Sequence, residues 1–231
     1  MRGAFLAAAA LLALGAAEAQ ANTVITFETQ ADGVTPFPAM PNSPGAAVPA
    51  GSQLGTQFLA THGVTFSSGA DFVAVVDHVP GCGATCTPTP PNIIGGTAAN
   101  GTLNYATPIT ASFFSTANTS VKATTGFVRV LGDKFPDGSV VMLEAYGAGG
   151  NLLGSVSANE GNVFGEGADL SLSLAGIQSV RFYSNGATVG FDNFEFGDLS
   201  AVPEPATWAL MIAGFAAVGA ATRRRVQVAI A

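Results

Sequence analysis

The sequence predicts an all-β fold, an antiparallel β-sandwich placed between two apolar terminal segments. Three observations predict it: short runs rich in β-branched and aromatic residues, turn residues between those runs, and almost no helical periodicity in the interior. Nine runs separated by Gly, Asn, Asp and Pro are typical of a two-layered β protein. They are residues 22–28, 63–67, 71–76, 108–114, 124–132, 139–147, 151–158, 177–184 and 188–197.

Residues 1–21 have the form of a secretory signal peptide. A basic Arg2 precedes an apolar stretch over residues 4–17, and two overlapping Ala-x-Ala sites follow that stretch. The sequence therefore predicts cleavage before Gln20 or Asn22 and export of everything that follows. The alternative is an uncleaved N-terminal anchor, which the short apolar stretch disfavours.

Turn chemistry predicts a hairpin as the strongest local unit of the body. Residues 139–147 and 151–158 flank Ala148-Gly149-Gly150-Asn151, and Gly and Asn supply the positive φ that a tight turn needs. Residues 170–174 alternate Leu and Ser, which predicts a half-buried edge strand. The phenylalanines of the last run do not alternate strictly, so we expect a β-bulge near Asp192-Asn193.

The rest of the body is predicted to be loops around one core. Proline is dense in residues 36–49 and 87–91, and we expect loops there because proline cannot donate to a sheet ladder.

The body is long enough to bury one core without metals or several disulfides, so a single domain is expected. Most of the 16 phenylalanines are predicted to lie in that core, which leaves Tyr105, Tyr146 and Tyr183 as the few aromatic residues for stacking a sugar.

The charge of the chain argues against nucleic acid as a partner. The net charge is −7, and residues 22–205 hold 14 acidic side chains against four basic ones, Lys122, Arg129, Lys134 and Arg181. Such a body repels phosphate backbones. A divalent cation is the more natural partner.

The chain has two cysteines, Cys82 and Cys86, in a loop rich in Gly and Pro. Export places them in an oxidising compartment, so a local disulfide is expected. The alternative is a metal site, which would need four ligands, and this stretch supplies only the two thiols with His78 nearby.

The sequence carries no recognisable catalytic signature. The nucleophile elbow, the zinc-protease helix motif and the glycine-rich phosphate and dinucleotide loops are all absent. His62 and His78 are predicted to be surface or turn residues. Asp192 and Glu195 could in principle form the carboxylate pair of a glycoside hydrolase, but on a regular strand they would face opposite sides. We therefore predict that the protein is not an enzyme.

Residues 206–221 are a run of 16 uncharged residues near the C-terminus. As a helix the run would be about 24 Å long against a hydrocarbon core of about 30 Å, so it is marginally long enough to span a membrane. Trp208 at its outer end suits the interfacial belt, and Arg223, Arg224 and Arg225 form the positive flank that stays in the cytoplasm. A single-pass helix with the body on the opposite side is expected.

The C-terminal segment, residues 201–231, resembles the PEP-CTERM sorting signal in its PEPxxWA form. The resemblance rests on Val202-Pro203-Glu204-Pro205, on Trp208-Ala209, and on the apolar run and arginine cluster that follow. It implies that the tail holds the protein transiently at the inner membrane until an exosortase cuts near Pro203-Glu204-Pro205. The product would then be attached at the cell surface or released, often in bacteria that make exopolysaccharide. An ordinary single-pass anchor is the alternative.

The body, residues 22–200, is similar to the jelly-roll β-sandwiches common on PEP-CTERM proteins, which are related in shape to carbohydrate-binding modules. The similarity rests on ITFE near the start, on the hairpin with GGN at its tip, and on IQSVRFYS and VGFDNFEFG at the end. It implies a structural calcium ion shared by Glu28 and Asp192. The alternative is that Asp192-Asn193 only shapes a bulge and that Glu28 is a solvated charge.

Three functions are compatible with the sequence. The leading one is a non-enzymatic surface or matrix protein that is exported through the periplasm and processed at the inner membrane. The second is a calcium-dependent carbohydrate-binding module that acts on exopolysaccharide. The third is a secreted hydrolase of an unrecognised type, which the scarcity of histidines and paired acids disfavours.

Overall fold

A computed structural model describes residues 22–78, 87–133, 139–159, 167–185, 189–202 and 212–216. Over these residues the regular secondary structure is mainly β-strand, with a single-turn α-helix, α1 (Leu59–His62), a 3-10 turn at Ala50–Ser52 and a helical segment at residues 212–216. The strands are β1 (Thr23–Ile25), β2 (Met40–Pro41), β3 (Gln53–Leu54), β4 (Val64–Ser67), β5 (Val73–Asp77), β6 (Asn92–Gly95), β7 (Ile109–Phe113), β8 (Ala123–Gly132), β9 (Val140–Tyr146), β10 (Leu152–Asn159), β11 (Asp169–Ile177), β12 (Ser179–Ser184), β13 (Phe191–Phe196) and β14 (Ser200–Ala201).

The strands form two sheets, which confirms the predicted all-β, two-sheet architecture. The smaller sheet has the order β10-β9-β12-β7-β4, and all of its pairings are antiparallel. The larger sheet has the order β11-β8-β13-β6-β5-β2, with β1 on β13, β3 on β5 and β14 on β8. One pairing departs from the antiparallel prediction, because the two residues of β2 pair with β5 in parallel.

The core lies between the two sheets and is centred on Phe194 of β13. The ring centroid of Phe194 lies 5.3 Å from that of Phe66 on β4, 6.3 Å from that of Phe113 on β7 and 5.8 Å from that of Phe182 on β12. Phe194 belongs to the larger sheet and its three partners belong to the smaller one. These aromatic contacts therefore join the two layers directly.

All nine predicted runs form strands, and the alternation of Leu and Ser over residues 170–174 does mark an edge strand, β11. The predicted hairpin is also present, since β9 pairs with β10 across a turn in which Gly150 has φ +73°. The predicted bulge is confirmed as well. The register of β13 against β8 shifts between Asp192 and Glu195, and Asn193 adopts φ +48°.

Other predictions from the sequence need correction. β3, β6 and β14 were not predicted, and the proline-dense residues 36–49 contain the short edge strand β2. Proline is tolerated there because an edge strand leaves some donors unpaired. His62 ends a single helical turn and is half-buried, which agrees with its prediction as a surface or turn residue.

Both ends of the described body lie at the same end of the sandwich. Thr23 of β1 pairs with Phe196, the last residue of β13. Ser200 of β14 pairs with Thr124, near the start of β8, which runs antiparallel to β13. The start of β8 and the end of β13 are neighbours, so the chain enters and leaves the sandwich on one side. We call this side the terminal end.

Several predictions concern residues outside the described ranges. The signal peptide at residues 1–21, the cysteines Cys82 and Cys86, and most of the tail are among them. Of the predicted membrane helix at residues 206–221, the structure describes only residues 212–216, which are helical and exposed. Within the described part of the chain, no helix has both the length and the apolar character needed to cross a bilayer.

Candidate functional site

The segment that leads into Pro203-Glu204-Pro205, the predicted sorting motif, is fixed to the body as a strand. In β14, Ser200 pairs with Thr124 and Ala201 with Ala123. The pairing is extended by Val202, whose backbone N donates to the carbonyl oxygen of Lys122 at 3.0 Å. The chain is therefore hydrogen-bonded to the sandwich up to the residue before Pro203.

Leu199, just before β14, anchors this segment to the hydrophobic core. It packs so closely on Gly63 that a Cβ at Gly63 would lie 2.5 Å from Leu199 Cδ1 and 2.3 Å from the carbonyl oxygen of Phe114. Gly63 also has φ +66°, so this position requires glycine on two counts. Next to it, the ammonium group of Lys122 lies 3.9 Å from the centre of the Phe114 ring. The segment Leu199–Val202, which we call the tether, thus has both an apolar and a hydrogen-bonded attachment.

The predicted cation ligands, Glu28 and Asp192, lie in one region of the structure. Oε1 of Glu28 accepts a hydrogen bond from the backbone N of Asn92 at 3.0 Å, and Asn92 Nδ2 donates to the carbonyl oxygen of Phe27 at 2.9 Å. Asp192 is fully buried, and its Oδ2 accepts from both the backbone N and Oγ1 of Thr89, at 2.8 and 2.7 Å.

The two carboxylates influence each other electrostatically. Burial raises the pKa of Glu28 to about 7, and the negative charges of Asp192 and Asp77 add to this effect while the hydrogen bond from Asn92 opposes it. Asp77 reaches the region because β5 pairs with β6 so that Asp77 is opposite Asn92. Glu28 is therefore not the solvated charge of the alternative interpretation.

The chemistry of this region suits a hard cation. Calcium takes six to eight oxygen ligands, which include carboxylates and backbone carbonyls. A bound divalent ion would also stabilise the negative charge of carboxylates that burial destabilises. The described residues contain no group of three or more His, Cys, Asp or Glu side chains arranged to hold a metal. A cation here would therefore depend on two carboxylates supplemented by carbonyl oxygens or water.

Two other residues considered for chemistry are Glu195 and His78. Glu195 lies on the outer face, where it accepts from Asn22 at 2.8 Å and pairs with Arg129 at 3.4 Å, whereas Asp192 is inside. His78 was predicted at the surface and is instead buried, with Nδ1 hydrogen-bonded to Asn42 Nδ2 at 2.8 Å. Burial lowers the pKa of His78.

One cluster was not predicted from the sequence. Tyr146 and Tyr183 both donate hydrogen bonds to Glu144, at 2.6 and 3.0 Å, on the outer face of the smaller sheet. Arg181 lies opposite Glu144 on the neighbouring strand, with 3.9 Å between Nη1 and Oε2. The alternation of inward and outward residues in β9 and β12 could have placed these side chains outward, but the pairing of the two strands could not be read from the sequence.

Comparison with known proteins defines the class of the tail. Residues 201–225 match the PEP-CTERM protein-sorting motif, so the chain carries the sorting signal of proteins that are exported and processed by an exosortase. This confirms the resemblance seen in the sequence. The match begins within the tether, at Ala201. No curated protein matches the chain at a significant level.

Solved structures with a similar β-rich body are distant. TmCBM61 in complex with β-1,4-galactotriose is 14% identical, with a TM-score of 0.32, over 69% of this chain and 99% of that one. The arabinose-bound α-L-arabinofuranosidase MgGH51 is 12% identical, with a TM-score of 0.34, over 62% of this chain and 24% of that one. The C-terminal domain of a chitobiase from Bacteroides fragilis is 13% identical, with a TM-score of 0.26, over 46% and 70%. These TM-scores are too low to carry any argument about ligand or activity.

The raised pKa of Glu28 predicts a specific pH dependence of stability. Between pH 4.5 and about 7 the folded protein holds a proton on Glu28 that the unfolded chain has lost, so Glu28 contributes a decline in the free energy of unfolding as pH rises through this window, and the decline levels off above it. His62 and His78, whose pKa values are lowered by burial, contribute an opposite rise that is the same in the unmodified chain and in the carboxylate variants, so the decline is read as the difference between them. Chemical denaturation from pH 4 to 8 in the presence of a chelator measures this. Glu28→Gln should flatten the decline, whereas Asp71→Asn, which removes an exposed carboxylate, should leave it unchanged. An equal decline in Glu28→Gln would contradict the assignment.

The anchoring role of Leu199 predicts that a smaller side chain frees the tether. Leu199→Ala should weaken its attachment by about 1–2 kcal/mol and raise the detached population about 5- to 30-fold. Brief digestion with a broad-specificity protease, followed by mass mapping of cuts between residues 198 and 203, measures this population. Leu152→Ala is the matched control, because Leu152 is 56% exposed. Equal cutting of Leu199→Ala and the unmodified chain would show that Leu199 does not hold the segment.

Proposed function

We propose that the protein is a non-enzymatic surface or extracellular-matrix protein, exported by its signal peptide and held transiently at the inner membrane by residues 206–221. An exosortase then cuts near Pro203-Glu204-Pro205, and the body is left at the cell surface or released. The observation that carries this proposal is the sorting motif at residues 201–225, which continues directly from a strand of the folded body.

The proposed topology follows from the two ends of the chain. The signal peptide brings the body across the membrane, and Arg223, Arg224 and Arg225 stay on the cytoplasmic side by the positive-inside rule. Trp208 lies at the outer interface, and Glu204 with Trp208-Ala209 belongs to the recognition sequence. The prolines favour an extended backbone, the conformation in which a protease binds its substrate.

A non-enzymatic role is supported by the separation of the chemical groups considered as catalytic. Asp192 is buried against Thr89, while Glu195 is engaged on the outer face by Arg129 and Asn22. The two carboxylates therefore do not share a cleft in which one could act as acid and the other as base or nucleophile. Display or binding, rather than catalysis, is the proposed role of the body.

We also propose a structural calcium ion at Glu28 and Asp192. The raised pKa of Glu28 supports it, since a carboxylate that is partly buried and lies near other negative charges is stabilised by a bound cation. Asp77 contributes to the same negative region. Bound calcium would join the segment after β1 to β13 and so stabilise the body after release into a calcium-containing exterior.

A second candidate function is binding of exopolysaccharide. The observation that favours it is the outward cluster of Tyr146, Tyr183, Glu144 and Arg181, which combines aromatic rings with hydrogen-bonding groups. Such a combination is typical of sites for polar ligands with apolar faces. This function is compatible with the sorting role, because the outer face of the smaller sheet is separate from the tether on β8.

Processing is tested by the intact mass of the protein recovered from the cell exterior. The mass should correspond to a chain that starts at Gln20 or Asn22 and ends near Pro203-Glu204-Pro205. Replacement of these three residues by alanine should trap the full tail in the membrane fraction. Asp198→Ala, which leaves the motif intact, is the control. A full-length protein that still carries the arginine cluster outside the cell would refute the proposal.

The calcium proposal predicts stabilisation by the ion. At a calcium concentration about one hundred times the Kd, unfolding should cost about 2.7 kcal/mol more, a rise in Tm of roughly 5–10 °C. Thermal unfolding of the full chain in detergent, with calcium or with chelator, measures the shift. Glu28→Gln should lose most of it, and Asp71→Asn should retain it. An identical Tm with calcium and with chelator would exclude the site.

A further inference from the structure

The outer face of the smaller sheet is unusual in its charge. Among the side chains of its five strands, one carboxylate, Glu144, and one guanidinium, Arg181, are charged, and the two lie directly opposite each other. Most of the remaining outward side chains carry hydroxyl groups, namely Thr65, Ser67, Thr110, Ser112, Ser155, Ser157 and Ser179, while Val140, Met142 and Leu152 add apolar surface. In a chain with a net charge of −7, this face is locally neutral.

Two tyrosines flank the charged pair on this face. Tyr146 lies opposite Ser179 and Tyr183 lies opposite Met142, so the two rings are on either side of the rung formed by Glu144 and Arg181. Their Cα atoms are roughly 14 Å apart along the strands, but both phenol oxygens reach the same carboxylate, so the two rings lean toward each other over the Glu144 rung. Together they offer a longer aromatic surface than one ring, which suits a chain of sugar units.

The tyrosines are held in fixed positions. Both hydroxyl groups donate to Glu144, one to each carboxylate oxygen, and this donation raises the pKa of Tyr146. With their protons committed to Glu144, the phenolic oxygens present lone pairs that can accept hydrogen bonds from a ligand. The guanidinium of Arg181 lies over one face of the Tyr183 ring, with 5.0 Å between Cζ and the ring centre, and its side chain is 45% exposed, so it can supply donors to a ligand there.

We propose that this face binds a neutral polysaccharide, with Tyr146 and Tyr183 as stacking platforms, Arg181 as the polar group between them and Glu144 as the residue that holds the two rings in place. The proposal rests on the second candidate function given above and names its site and ligand class. The paired charges and the hydroxyl groups fit an uncharged ligand rich in hydroxyls. An acidic polysaccharide would be attracted only by Arg181, which is partly paired with Glu144, and would be repelled by the acidic body around it. A protein partner would favour a more apolar centre.

Fixed aromatic rings reduce the cost of binding. A ligand that stacks on a ring already held by hydrogen bonds does not have to order that ring, so more of the contact energy appears as affinity. Glu144 is therefore a positioning residue, since it acts through the two tyrosines. Because Glu144 orients the two rings, replacing Glu144 should weaken polysaccharide binding less than replacing Tyr146 or Tyr183 does.

Affinity electrophoresis of the full chain in mild detergent tests the proposal. The gels contain galactomannan, hydroxyethylcellulose or dextran as neutral polysaccharides, or alginate as an acidic one. At least one neutral polysaccharide should retard the protein, and alginate should not. Tyr146→Ala and Tyr183→Ala should each weaken retardation about tenfold or more. Phe127→Ala, an aromatic truncation on the outer face of the other sheet, is the matched control and should bind as the unmodified chain does.

The other outcomes of the electrophoresis distinguish failure of this tyrosine site from failure of polysaccharide binding as a function. Retardation that persists unchanged in both tyrosine variants would overturn this site while polysaccharide binding remained. Retardation by no polysaccharide, or by alginate alone, would overturn the site and the second candidate function together. Tm values of the variants within a few degrees of the unmodified chain show that a loss of binding is not a loss of fold. Tyr146→Phe and Tyr183→Phe keep the rings and should retain part of the retardation.

Discussion

The packing of Phe194 against three rings of the opposite sheet is the interaction on which the rest of the molecule depends. Phe194 lies on β13, and its contacts with Phe66, Phe113 and Phe182 set the separation and the register of the two layers. The same strand carries Asp192 at its bulge and pairs with β1 and β8. The acidic region and the attachment of the tether are therefore positioned by a strand whose place is set by aromatic packing.

Much of the fold could be predicted from local sequence, because β-branched and aromatic runs between turn residues depend little on distant partners. The edge strand β11 and the bulge at Asp192 follow from patterns of two or three residues. β2 and β6 could not be predicted in this way. They are short, lie next to proline-rich segments, and become strands through their pairing with β5. The burial of His78 has the same origin, since it follows β5 and contacts Asn42.

The candidate sites were predictable to different degrees. The sorting motif is a local pattern, so the sequence alone was sufficient. The closeness of Glu28 and Asp192 came from a resemblance, and the participation of Asp77 and Asn92 depends on the pairing of β5 with β6, which no local pattern marks. The tyrosine face required knowledge that β9 and β12 are neighbours. Alternation gives the side of a strand on which a residue lies, whereas topology decides which residues share that side.

The attachment of Val202 to Lys122 has a consequence for the mature protein. If an exosortase cuts near Pro203-Glu204-Pro205 as proposed, the new C-terminus would follow a strand that is bonded to the sheet up to Val202, and the globule would have almost no stalk. Any molecule joined to that terminus would contact the sandwich at once and could not swing freely from it. If the proposed surface attachment is through this terminus, neighbouring copies would stand at a uniform height, with the terminal end down and the opposite loops facing outward.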